Sequence, residues 1–254
     1  MLTKAILDLS PPADAALAAA LVFGGVVKGV LGIGLPLVLV PLTTQLLPLP
    51  ATLALLSLPV VAANIRQTLE ASGTFGAVRR LTPILGPLVL GTVFGTHLLI
   101  SVNRRALDIV IGLTFMLLAA LLMVVPRLRI SRGAELWAGP LVGLVAGLLG
   151  GMSAMFGPPL IAYQIGLGVD PPTFVKHMAI LALTATLTLV LALGGSGVLT
   201  GPDLVVSAVA ILPIQLGMPF GRWLRGRVPP ILFRAAVLCT LAWSGLDMLH
   251  RALG

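Results

Sequence analysis

The sequence predicts an all-α polytopic membrane protein built from two inverted-topology repeats. Each repeat is read as a broken or re-entrant Gly-cornered helical hairpin plus three spanning helices. Three observations lead there. Of 254 residues, 58% are hydrophobic and only 9% charged, with a mean hydropathy of +1.11, whereas a soluble domain carries roughly 25% charged residues. Apolar stretches close to the roughly 20 residues that cross a bilayer recur along the whole chain. A pair of glycine motifs also appears twice, in the same order.

The first pair is Pro87-LVLGTVF-Gly95 and Pro213-IQLGMPF-Gly221, both P-x-x-x-G-x-x-F-G at an offset of 126. Upstream, Val26–Gly32 (VVKGVLG) answers Leu144–Gly150 (LVAGLLG) at an offset of 118. A proline follows each of these glycine turns, Pro36 in one half and Pro158–Pro159 in the other; aligning them needs a four-residue insertion in the second half. The repeats are placed at residues 1–126 and 135–254, joined by a basic cytoplasmic linker over 127–134.

Five apolar segments are expected in each half. In the first they are Ala13–Leu31, Leu35–Leu47, Ala51–Leu69, Leu81–Val102 and Leu107–Val125; in the second, Glu135–Leu149, Met155–Leu167, Thr173–Leu193, Leu204–Phe220 and Ile231–Leu249. The second segment of each half has about 13 residues, roughly 20 Å of helix. That is too short for a hydrocarbon core about 30 Å thick, so it pairs with the first segment in a hairpin cornered at glycine. An odd number of segments per half makes the second repeat start on the opposite side of the membrane. With the linker PRLRISRG inside, Arg79, Arg80, Arg127, Arg129, Arg132, Arg222, Arg225 and Arg227 fall inside, while Lys4, Arg104, Arg105 and Arg251 fall outside. The excess of cations on the inner side favours both termini outside.

The same reading assigns the net charge of +8 to topology rather than to nucleic acid. The single cysteine, Cys239, permits no internal disulfide and suggests no metal cluster; no cofactor or metal is expected. MLTKAILDLSPPAD is too mixed for a cleavable signal peptide, so the first apolar helix is expected to stay.

Helix ends inside a membrane leave backbone groups that lipid cannot satisfy but a polar substrate can. The second segment of each half starts just after its glycines, and a helix N-terminus attracts anions. Pro36 fits a first helical turn, where its missing N–H removes nothing. Gly32, Gly34, Gly150 and Gly151 corner the two turns, with close helix packing as their alternative role. Intramembrane ionisable residues are functional candidates. Lys28, one turn before the first corner, adds positive charge there, with snorkelling to an interface as its alternative. Lys176 and His177 open the third segment of the second half, where an interfacial pair is the competing reading. Asn64 is a candidate polar ligand; Arg66 reads as an interface anchor and His97 as a packing residue. Ser153, Tyr163, Gln164 and Gln215 offer neutral hydrogen bonds at membrane depth, to a substrate or between helices. Glu70, Asp108 and Asp247 form no carboxylate relay. These residues together describe a binding site for a small anion.

Gly29–Leu42 (GVLGIGLPLVLVPL) resembles the glycine-rich G-x-G-G-G-x-x-x-x-P element of the first half of the TauE/SafE (TSUP) transporters. Gly143–Gly168 (GLVAGLLGGMSAMFGPPLIAYQIGLG) is similar to their second-half element, which runs through G-P-P and an aliphatic–Tyr stretch. The chain departs from that pattern at Gly34-Leu35-Pro36 and at Met152-Ser153-Ala154. The resemblance covers the whole chain and implies transport, typically export, of sulfite, sulfoacetate or related organosulfonates across the cell (inner) membrane. It carries over Gly32, Gly34, Pro36 and Pro41 in the first half, and Gly150, Gly157, Pro158, Pro159 and Tyr163 in the second.

The expected mechanism is alternating access around a midplane anion site, one repeat moving against the other. A coupling proton, carried by Lys28, Lys176 or a histidine, stays open here, as do uptake rather than export, a passive anion channel and the oligomeric state. Gly151-Met152-Ser153 resembles half a nucleophile motif, for which His177 is the conceivable base. With no oxyanion arrangement identifiable, an enzyme is not expected.

Overall fold

The computed structural model of the chain describes residues 2–31, 35–70, 74–124, 129–224 and 230–253, and these form helices without strands. A short α1 (Leu2–Leu7) precedes α2 (Pro11–Leu31), α3 (Leu35–Thr43), α4 (Leu49–Glu70), α5 (Thr74–Ser101) and α6 (Arg104–Val124). The second half contains α7 (Arg132–Ser153), α8 (Gly157–Gly166), α9 (Pro171–Gly195), α10 (Gly201–Val209), α11 (Ile211–Leu224) and α12 (Pro230–Leu253). Among the described residues, six stretches are long and apolar enough to cross a membrane: Pro11–Val30, Leu49–Leu69, Gly76–Ser101, Gly133–Ser153, Pro172–Gly195 and Gly201–Leu224. Exposed Leu90, Phe94, Leu141, Leu191, Leu212 and Leu216 give these helices an apolar outer surface, as lipid requires. α3 and α8, of 9 and 10 residues, reach only about 14–15 Å at 1.5 Å per residue. Both are buried: α3 packs on α2, α4 and α12, and α8 on α7, α9 and α6. Their ends are thereby kept from lipid.

Local chemistry fixes the boundaries. Ser131 caps α7 by accepting from Ala134 N at 3.4 Å, and Ile130 N donates to Gly166 O at 2.7 Å, which ties the linker to the C-terminus of α8. Asp170 caps α9 by accepting from Thr173 N at 3.2 Å, and hydrogen bonding from the Thr173 side chain, then its backbone, holds the carboxyl below the usual carboxylate range. Pro59 inside α4 has no N–H for Leu55 O. Ser207 Oγ, on α10, donates to that oxygen at 2.8 Å, so a neighbouring helix satisfies the break.

Two features depart from the expected segments. α1 is additional. Thr3 N and Oγ1 both donate to Asp203 Oδ1 at 3.0 Å, while Thr200 N and Oγ1 donate to Asp203 Oδ2 at 3.1 and 2.8 Å. This carboxylate caps α10 and holds the N-terminal helix on it. The expected single segment Leu204–Phe220 is instead two helices, parted at Ala210. Pro213 cannot bond the carbonyl of Val209, and α10 ends at Val209.

The repeated glycines form two close seams. On α5, a Cβ at Gly91 or Gly95 would strike the carbonyl oxygens of Leu144 and Leu148 on α7; on α7, one at Gly147 or Gly151 would strike those of Leu88 and Thr92. On α2 and α11 the same relation holds between Gly25 or Gly29 and the carbonyls of Ile214 and Met218, and between Gly217 or Gly221 and those of Val22 and Val26. Small residues let backbones approach without a side chain between them.

Candidate functional site

Lys28 is buried near the end of α2, and its Nζ donates to Gln67 Oε1 on α4 at 3.2 Å. One turn before Gln67, Asn64 Nδ2 donates to Thr186 Oγ1 on α9 at 3.3 Å. These four side chains face one cavity of about 60 Å³, several times the about 10–15 Å³ that one water needs. Its remaining walls come from the first turns of both short helices, Leu35–Pro36–Leu37 of α3 and Gly157, Pro158, Leu160 and Ile161 of α8. Met155, Phe156 and Met178 make much of the rest apolar. No carboxylate lines it among the described residues.

The turn into α8 is sharp. Ala154 takes a left-handed conformation (φ 58°), and its N–H donates to Gly150 O at 2.6 Å. A non-glycine residue there is unusual, and Ala154 lines the cavity. Phe156 then folds back over Gly150, where a Cβ would collide with its ring. Pro158 and Pro159 sit in the first turn of α8 and Pro36 in that of α3. Prolines have no N–H, so these helix ends keep their positive dipole but lose backbone donors. Lys28, Asn64 and Gln67 are therefore the principal side-chain donors available to a bound group, with Thr186 Oγ1 as the acceptor that orients Asn64.

The predicted residues divide into five sets. Lys28, Pro36, Asn64, Gly157 and Pro158 come together in this cavity. Tyr163, Gln164 and His177 line a second cavity of about 140 Å³ with Arg80 and Glu135. Gly150, Gly151 and Ser153 shape the turn without facing the cavity: Gly151 lies in the α5–α7 seam, and Ser153 Oγ donates to Leu149 O at 2.8 Å. Lys176 is half-buried at the start of α9 and Gln215 is exposed on α11, and neither lines either cavity. Gly32 and Gly34 lie outside the described residues. His177, the conceivable base for Ser153, hydrogen-bonds Gln164 Oε1 through Nδ1 at 2.9 Å instead.

Gln67, Thr186, Met155 and Phe156 belong to the site but were not singled out from sequence. Gln67 stands one turn after Asn64 on the same helix, a spacing that could have marked it; the other three carry no such signal.

A family profile described as Sulfite exporter TauE/SafE matches residues 17–248. Comparison with curated proteins and with solved structures gives no match. The match spans both short helices and every residue of the Lys28 cavity, on a chain with six stretches of membrane-spanning length among the described residues. This multi-pass membrane protein belongs to the TauE/SafE sulfite exporter family.

Proposed function

We propose that the protein is a secondary transporter that exports sulfite or a small organosulfonate, and that the Lys28 cavity is its transport site. One observation carries this reading: a buried lysine stands in a carboxylate-free cavity where the first turns of both short helices meet. The protonated Lys28 amine and the two helix N-termini would balance the anion's charge. Asn64 and Gln67 would hydrogen-bond its oxygens, with Thr186 orienting Asn64, and Met155, Phe156 and Met178 would keep bulk water out.

An inverted repeat would account for the packing. Exchange α2 with α7, α3 with α8, α4 with α9, α5 with α10–α11, and α6 with α12. The contact of α5 with α7 then becomes that of α11 with α2, and α12 on α3 becomes α6 on α8. Likewise α4 on α10 becomes α9 on α5, while α4–α9 and α6–α12 map onto themselves. Asn64 and Thr186 are equivalent under this exchange at the 122-residue offset of the prolines (36 to 158), and they bond each other across the α4–α9 contact. On this reading the cavity would lie beside the pseudo-two-fold axis.

The seams revise how alternating access would run. Each glycine seam clamps a helix of one repeat to a helix of the other, so the contiguous repeats do not separate as units. The moving bodies instead draw on both halves, α2 with α11 and α5 with α7, and the cavity opens along the α4–α9 contact. Burial of Lys28, Asn64 and Thr186 fits an occluded state of such a carrier. In proteoliposomes loaded with unlabelled sulfite, radiolabelled sulfite should accumulate transiently by counterflow and saturate with concentration. Linear, non-saturating flux without counterflow would contradict a carrier and indicate a pore.

A further inference from the structure

The second cavity lies on the linker side of the first. α8 and α9 line both: Pro158, Leu160 and Ile161 face the Lys28 cavity and Tyr163 and Gln164 the second, while Met178 faces the first and His177 the second. Six residues of α8 separate Pro158 from Gln164, about 9 Å along the axis. Beyond Gln164 the helix ends at Gly166, where Ile130 of the linker is hydrogen-bonded.

The second cavity is rich in donors. Gln164 is fully buried, and its Nε2 has no hydrogen-bond partner although its Oε1 is engaged by His177 Nδ1 at 2.9 Å. A buried unpaired amide donor is destabilising by about 1–3 kcal/mol unless something else fills that role. The Tyr163 hydroxyl reaches past Gly139, where a Cβ would come within 3.1 Å of it. At the mouth, Arg80 Nη2 and Glu135 Oε1 are 3.9 Å apart and partly exposed, a loose pair that an incoming anion can open.

These polar residues are not part of the repeated scaffold. At the offsets that superpose the seam glycines (Gly25 on Gly143, Gly29 on Gly147, Gly91 on Gly217, Gly95 on Gly221), Arg80 falls on Val206 and Glu135 on Leu17. At the offset of the prolines, Tyr163 falls on Pro41, Gln164 on Leu42 and His177 on Leu55. The fold is built twice, and this polar set once. Its role is therefore tied to one side of the membrane, the side to which the arginines assign the cytosol.

We propose that this second cavity is a cytosolic vestibule that binds the sulfur oxyanion before it enters the Lys28 cavity, with Gln164 Nε2, the Tyr163 hydroxyl and Arg80 as donors and His177 holding Gln164 in place through its Oε1. The inference rests on the transport reading above and adds a separate loading site to it. Tyr163 is the only tyrosine of the chain, so 3-fluorotyrosine gives one ¹⁹F resonance, and it reports on this cavity. Sodium sulfite titrated into purified full-length protein should shift that resonance saturably, and sodium chloride at equal ionic strength should not. The shift should persist in Lys28→Met, and need at least tenfold more sulfite in Gln164→Leu and in the surface variant Arg80→Gln. Loss of the shift in Lys28→Met with wild-type response in Gln164→Leu and Arg80→Gln would overturn the vestibule and leave the Lys28 site standing. A chloride response equal to that of sulfite would overturn it as well. Persistence of the shift when radiolabelled sulfite binds Lys28→Met as tightly as wild type would support the vestibule and overturn the Lys28 site. No shift and no radiolabel binding in wild type would overturn both.

Discussion

Lys28 is the residue on which the site turns. An isolated charge inside a membrane protein is costly by several kcal/mol, and here one hydrogen bond to Gln67 offsets part of that cost. The same expense made it legible: a lysine inside GVVKGVLG stands out because everything around it is apolar. Asn64 was readable for a similar reason. Thr186 was not, because threonines are common in apolar helices, where they bond the preceding turn, as Thr186 also does to Ala182 O at 2.8 Å. Gly150 shows how a correct position can carry a different role. It was expected to cradle the anion, and its packing gives it the task of seating Phe156, a cavity wall. Gly150→Ala should therefore act indirectly, displacing the ring. Thermal unfolding in detergent should report a loss of about 1–3 kcal/mol, and sulfite affinity should fall with it. Unchanged melting and unchanged affinity would contradict this placement.

At the scale of elements, the glycine seams dominate. The repeated P-x-x-x-G-x-x-F-G motif reads as duplication from sequence, but its physical content, backbone contact of α5 with α7 and of α11 with α2, requires knowing the partner helix. Two glycines of α5 separate the roles. Gly86 has nothing within 4 Å of an added Cβ, whereas Gly91 would meet the Leu144 carbonyl. Gly86→Ala should stabilise by about 0.5–1 kcal/mol, since alanine is the better helix former. Gly91→Ala should destabilise by about 2 kcal/mol or more by forcing the seam apart. Equal effects on the melting temperature would refute the seam. The ten expected segments all recur as helices because apolar length is a strong signal. The break at Ala210 was not legible: Pro213 matches Pro87, and Pro87 stays inside a continuous α5. α1 was hidden for another reason. Its stability comes from Asp203, two hundred residues away, and six residues cannot hold a helix by propensity alone.

On the scale of the whole molecule, the proposed duplication would account for both what is shared and what is not. Seams and short-helix hairpins occur twice and hold two broken helices at membrane depth without exposing their ends to lipid. Lys28, Gln67 and the polar vestibule occur once. Under the proposed transport cycle, this asymmetric lining would let the two membrane sides differ in how they receive an anion. The central claim is that the anion binds against Lys28 where α3 and α8 begin. Equilibrium binding of radiolabelled sulfite to the purified Lys28→Met variant tests it most directly. A charge-assisted hydrogen bond is worth about 1.5–3 kcal/mol, so binding should weaken at least about tenfold while the protein stays monodisperse and helical. Wild-type affinity in the folded variant would contradict the account.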